Sequence, residues 1–181
     1  VGCNVLDDSL QLDDAPNTEG LESIVRIERS FHMWGNDEIT DLSGLANLNF
    51  VGGEFNIYGA DSLTSLTGLD NLETVEESIL IEENASLTDM TGLSRLTWVE
   101  GSTFIADNPS LTSLAGLDLL VRTGGLWVYG NGSLETLGDL PVLTNIDGEA
   151  WITDNEKLTD ISGLFSVTEA GTELQIRDNP L

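Results

Sequence analysis

The amino-acid sequence predicts an all-β-rich repeat protein, a parallel β-solenoid of about seven coils of 24 residues. Three observations carry this. Apolar residues recur at Ile39, Leu63, Leu87, Leu111, Leu134 and Leu158, at steps of 24, 24, 24, 23 and 24 residues. Within each repeat an apolar residue, mostly leucine, stands at every third position. A short stretch of apolar and polar alternation then follows. Alternation of period two marks a strand, and a constant repeat length means that one coil is wound again and again.

Residues 1–20 lack this period. Asp7, Asp8, Asp13, Asp14, Pro16 and Glu19 make them an acidic tether or cap segment, and residues 21–181 form the solenoid. After the Ile39 column each coil continues through Leu42, Leu66, Met90, Leu114, Leu137 and Ile161, then Leu45, Leu69, Leu93, Leu117, Leu140 and Leu164. Leu48, Leu72, Leu96, Leu120, Leu143 and Val167 complete the leucine run. Gly44, Gly68, Gly92, Gly116 and Gly163 precede the Leu45 column, where a tight bend or positive φ is open to a residue without Cβ. Asp139 replaces the glycine once, and Asp tolerates the left-handed region.

A valine-type column follows at Val51, Val75, Val99 and Ile146. The strands come next, with Phe55/Ile57, Ile79/Ile81, Thr103/Ile105, Leu126/Val128, Ala150/Ile152 and Leu174/Ile176 pointing inward. In the 23-residue coil this frame brings Arg122 to the valine column. Burying an unpaired guanidinium costs more than a one-residue bulge, so Val121 is expected to turn inward instead. Asn36, Asn84, Asn108, Asn131, Asn155 and Asn179 close the coils, with Ala60 as the exception. Stacked asparagines bond the backbone at a corner that would otherwise leave polar groups unpaired. A coil this short buries its apolar residues only between neighbours.

Charge narrows the function. Six Lys and Arg stand against 32 Asp and Glu, a formal charge of -26, which repels phosphate backbones and argues against nucleic-acid partners. With 40% apolar residues the chain is nevertheless a folding sequence rather than an acidic tail. No apolar run reaches the length of a transmembrane segment. One cysteine, Cys3, allows no internal disulfide, and one histidine, His32, leaves no zinc cluster and no cysteine–histidine pair. No glycine-rich phosphate cradle is present, and no carboxylate pair stands out among 32 acids, so the chain is read as a non-enzyme. Val1-Gly2-Cys3 matches the end of a bacterial lipobox, which makes Cys3 a candidate for lipidation and membrane anchoring.

The stretches Asp41-Leu42-Ser43-Gly44-Leu45-Ala46-Asn47-Leu48-Asn49-Phe50-Val51-Gly52-Gly53-Glu54-Phe55-Asn56-Ile57 and Leu111-Thr112-Ser113-Leu114-Ala115-Gly116-Leu117 resemble the receptor L-domain type of leucine-rich repeat. That family includes ligand-binding ectodomains of growth-factor and insulin receptors and many bacterial surface proteins. The resemblance covers about residues 21–181. It implies a right-handed solenoid that recognises proteins or other ligands on a sheet surface without catalysis. The cysteine-bonded caps of the receptor versions are absent from this sequence.

Alternation also predicts the outer face. The residues between the inward pairs read His32, Asn56, Leu80, Phe104, Trp127, Trp151 and Gln175. Four successive apolar members are unusual for a solvated surface. The next outward column, Trp34, Tyr58, Glu82, Ala106, Tyr129, Thr153 and Arg177, adds three aromatic residues. Phe104, Trp127 and Trp151 are expected to form an aromatic ladder, with Tyr129, Leu80, Tyr58 and Trp34 beside it, as the binding site for an extracellular protein or carbohydrate. Asp107, Asp154 and Asp178, with Glu83, are weaker candidates for Ca²⁺, the one cofactor considered. Thr40, Thr64, Thr88, Thr112 and Thr159 are read as turn-capping residues, and the sequons at Asn84 and Asn131 as members of the corner ladder rather than glycosylation sites.

The functional expectation is therefore an extracellular or cell-surface recognition module, an adhesin or ligand-binding domain. The alternative is a structural or filament subunit that self-associates through its solenoid ends, since Asn179-Pro180-Leu181 stops within a coil without a polar cap.

Overall fold

The computed structural model describes residues 4–180, so Cys3 lies outside the described residues. Each coil contributes a narrow and a wide strand. The narrow strands are β1 (Val5–Leu6), β3 (Arg26–Ile27), β5 (Phe50–Val51), β7 (Thr74–Val75), β11 (Asn145–Ile146) and β13 (Glu169–Ala170). The wide strands are β2 (Leu10–Asp13), β4 (Phe31–Trp34), β6 (Phe55–Tyr58), β8 (Ile79–Glu82), β12 (Glu149–Thr153) and β14 (Glu173–Arg177). Two longer strands, β9 (Trp98–Ala106) and β10 (Arg122–Tyr129), run through the corner and serve both columns, which joins all 14 strands into one sheet.

The chain is a parallel β-solenoid of about seven turns. Each strand pairs in parallel with its equivalent in the next coil: Phe31↔Phe55, Phe55↔Ile79, Ile79↔Thr103. The third side of the coil is the leucine run, made of turns and two short 3-10 segments, Ser43–Leu45 and Ser162–Ser166. No helix among the described residues is long and apolar enough to cross a membrane.

The first coil grows from the acidic N-terminal segment. Leu10, Gln11, Leu12 and Asp13 pair with Phe31, His32, Met33 and Trp34, and Leu6 pairs with Ile27. Leu6, Leu10, Leu12, Ala15, Leu21 and Ile24 pack against the core and cover one end of it.

The expected inward columns form that core. Ile39, Leu63, Leu87, Leu111, Leu134 and Leu158 are all buried, as are the leucines that follow them through the sixth coil. Fully burying one such side chain contributes about 1.5–3 kcal/mol. The levels at the two ends are less deeply buried: Leu6, Leu10 and Leu12 at one and Leu164, Val167 and Ile176 at the other are half-buried, and Leu174 is exposed although it stands in an inward column.

The short coil departs from expectation. Val121 does not turn inward; it is 44% exposed, and Arg122 also points out. Thr123 fills the valine column, paired with Val99 and Ile146. The missing residue lies after it, where the β9–β10 register shifts between Thr123 and Gly125. Threonine is isosteric with valine, and its hydroxyl is satisfied by the Gly125 carbonyl at 2.8 Å and by Thr103 Oγ1 at 2.9 Å. The shift thus falls where neither a charge nor an unpaired polar group has to enter the core.

Asp139 also departs from expectation, because it does not adopt positive φ. Gly68, Gly92 and Gly116 do, at 110°, 115° and 109°, and a Cβ on any of them would collide with the backbone of the preceding coil. The Asp139 coil turns differently, through isolated bridges Ser113↔Thr136 and Thr136↔Asp160. Burial raises the Asp139 pKa, with the Asp118 charge as a further cause, and Oδ2 has no hydrogen-bond partner.

At the corner, each asparagine bonds backward along the stack. Asn108 Nδ2 donates to the carbonyls of Ile81 and Ala106, at 2.9 and 3.0 Å. Asn131 Nδ2 does the same with Ile105 and Tyr129. Ala60, the gap in the ladder, still donates its N–H to Asn84 Oδ1 at 3.0 Å. On the leucine side the threonines follow their capping role, with Thr88 and Thr112 hydroxyls donating to the carbonyls of Thr64 and Thr88.

Candidate functional site

Strand alternation places the aromatic residues outside the prism. Register aligns Leu80 with Phe104, Phe104 with Trp127, Trp127 with Trp151 and Trp151 with Gln175. All five are half-buried, shaded by one another rather than by the core. The Phe104 and Trp127 rings are 5.4 Å apart with planes 22° apart, and those of Trp127 and Trp151 are 4.6 Å apart at 35°. These separations follow the ~4.8 Å strand spacing of a parallel sheet.

Tyr129 stands beside the ladder and, with Phe104, Trp127, Trp151, Thr153 and Arg177, lines a groove of about 300 Å³. The Arg177 guanidinium lies 6.0 Å from the Trp151 ring centroid, at the outer limit of a cation–π contact. Trp151 Nε1 is shielded and unpartnered. A Cβ on Gly125 would come within 3.2 Å of Trp127 Nε1, so the glycine leaves room for the indole.

The other proposed members extend this face without all joining the groove. Leu80 adjoins Phe104, whereas Trp34 and Tyr58 stand on earlier coils, 43% and 39% exposed. Trp34 packs near His32, with ring centroids 5.2 Å apart. Between Tyr58 and Tyr129 stands Glu82, whose pKa is raised by burial and by the charges of Asp107 and Glu83. The Tyr58 phenol is held above its usual range chiefly by Glu83, and that of Tyr129 by burial and then Glu82 and Asp107.

The acids considered for Ca²⁺ have a backbone role. Glu83, Asp107, Asp154 and Asp178 each immediately precede a corner asparagine and adopt φ of 53–56°. Gly35, Gly59 and Gly130 occupy the same place in other coils at φ of 63–68°. The left-handed turn is thus a constant of the coil, tolerated by Asp better than by most residues. Among the described residues no three His, Cys, Asp or Glu side chains converge as a metal-binding group.

Sequence reasoning missed a second aromatic feature on the narrow strands. Trp98 is 44% exposed, paired between Thr74 and Arg122, and Phe50 lies under the Arg26 guanidinium at 3.7 Å. The position before the valine column points outward by the same alternation that revealed the ladder. That was the available signal. No protein-family model, no curated protein and no solved structure matches this chain.

Proposed function

We propose that the chain is a non-catalytic extracellular recognition module, an adhesin or ligand-binding domain, that binds a protein or carbohydrate on its aromatic ladder. The observation that carries this reading is the outward stack of Phe104, Trp127 and Trp151, with 5.4 and 4.6 Å between rings. Such a stack on a rigid sheet offers a large contact area with little side-chain entropy to lose. The coil pattern supports kinship with receptor L-domain leucine-rich repeats. The acidity fits the cell exterior, and lipidation of Cys3 would hold the module at a surface.

Arrayed oligosaccharides and surface-protein peptides test the reading. W127A/W151A should lose the ligand retained by the native chain while its far-UV circular dichroism stays unchanged. Equal retention by both proteins would discard the ladder as the site.

A further inference from the structure

The recognition reading of the ladder leaves the partner's chemistry open, and the inference drawn here rests on that reading. What decides it is the part of each ring that remains free. At 4.6 Å, Trp127 and Trp151 are too close to lie side by side in one plane, so they overlap face to face. Phe104 stacks on the opposite face of Trp127. Both faces of Trp127 are therefore covered. The far side of Trp151 is turned to the level of Gln175 and Arg177, and the Arg177 guanidinium stands over that ring. The ladder presents ring edges to solvent, in a row along the solenoid axis.

This geometry is poor for sugars and good for side chains. A pyranose binds an aromatic residue by laying its C–H groups across the ring face, and the central faces are already occupied. A ring edge carries the positive end of the aromatic quadrupole and favours the face of another aromatic ring or an aliphatic group. Ser102, Gly125 and Glu149 lie on one side of the row, and Ala106, Tyr129 and Thr153 on the other, so Tyr129 stands beside Trp127 and Glu149 beside Trp151.

Charge selects the rest of the partner. Glu149 and Glu173 pair on one shoulder, while Glu82 and Asp107 crowd Tyr129 on the other. The whole chain carries -26. This field attracts basic partners. We propose that the ladder docks a basic protein segment that sets aromatic or aliphatic side chains against the ring edges, with Lys or Arg reaching the acidic shoulders.

Isothermal titration of the full chain tests this with three probes: a peptide alternating Lys and Tyr, the same peptide with Ser for Tyr, and cellohexaose. The Lys–Tyr peptide should bind saturably, about tenfold more weakly to W127A/W151A and about tenfold more weakly when its tyrosines are replaced. Glu149→Lys, which leaves every ring in place, should also weaken it and guards against misfolding of the double variant. Cellohexaose should give no saturable heat. Cellohexaose binding that W127A/W151A abolishes would overturn the protein-partner inference and leave the recognition reading intact. Peptide binding indifferent to W127A/W151A, or no binding of any probe, would overturn both.

Discussion

Asn108 Oδ1 accepts two hydrogen bonds from Asn84 of the preceding coil, one from its backbone N–H and one from Nδ2, both at 3.1 Å. The same Asn108 donates to the Ile81 and Ala106 carbonyls, so a single side chain satisfies backbone groups in two coils. The Ala106 carbonyl still accepts from Glu83 N–H and Asn84 Nδ2 still donates to the Ile57 carbonyl, so Asn108→Ala leaves the Asn84 N–H buried without its partner and should cost about 1–3 kcal/mol in urea unfolding. Ala60→Asn, which fills the gap between Asn84 and Asn36, should add about 1 kcal/mol. A loss of stability on that substitution would mean that the Ala60 corner has no room for an amide.

The hydroxyl pair inside the short coil should behave non-additively. Thr123 donates to Gly125, which leaves Thr103 to donate to Thr123. Thr123→Val strands the Thr103 hydroxyl in the core and should cost about 1–2 kcal/mol. Adding Thr103→Val removes the stranded group, so the double variant should be less destabilised than the sum of the two single variants. Strict additivity would show that the two hydroxyls do not depend on each other.

Carboxylates on different parts of the coil should give opposite pH signatures. Burial raises the pKa of Glu82, with help from Asp107 and Glu83, so the folded chain holds this proton more tightly than the unfolded chain. Its stabilising contribution is full below the ordinary carboxylate range and is lost as pH rises through the folded pKa. Glu82→Gln should therefore raise the melting temperature at neutral pH, and the difference should vanish in acid. Asp160 runs the other way, because hydrogen bonds from Ser162 and Thr136 lower its pKa. Its contribution is present above the ordinary carboxylate range and is lost as pH falls through the folded pKa. Asp160→Asn should lower the melting temperature at neutral pH and leave it unchanged in strong acid.

Charge repulsion should make stability depend on salt. With 32 acids against six bases, the compact state concentrates negative charge that the unfolded chain spreads out. Calorimetry should show the melting temperature rising from low to molar NaCl, and more steeply with divalent cations. A flat response would show that the acids are already screened by their spacing around the coil.

The inward columns were legible because a solenoid demands the same thing at the same place in every coil. Leu66, Leu69 and Leu72 meet neighbours above and below that differ little from themselves. The ladder was legible for the same reason, since Phe104, Trp127 and Trp151 alternate with side chains that have to be buried. Trp98 escaped because β7, its partner at the narrow corner, is only two residues long, and two residues show no period. Asp107 and Asp154 suggested metal ligands, although what their positions share is a left-handed backbone that any coil of this shape requires.

Repetition alone determined the coil length, the core columns, the asparagine corner and the outward position of the aromatic residues, since each follows from a spacing along the chain. Tertiary structure decided what spacing cannot express. A deletion is invisible in residue type, so only the pairing of Thr123 with Val99 and Ile146 shows that a hydroxyl, rather than Val121, enters the core. Ring contact is likewise decided between coils, and the 4.6 Å approach of Trp127 to Trp151 covers the facing sides of both rings. Which side chain fills a place and which of its surfaces stays free both depend on neighbours 23 or 24 residues away in sequence and one strand spacing away in space.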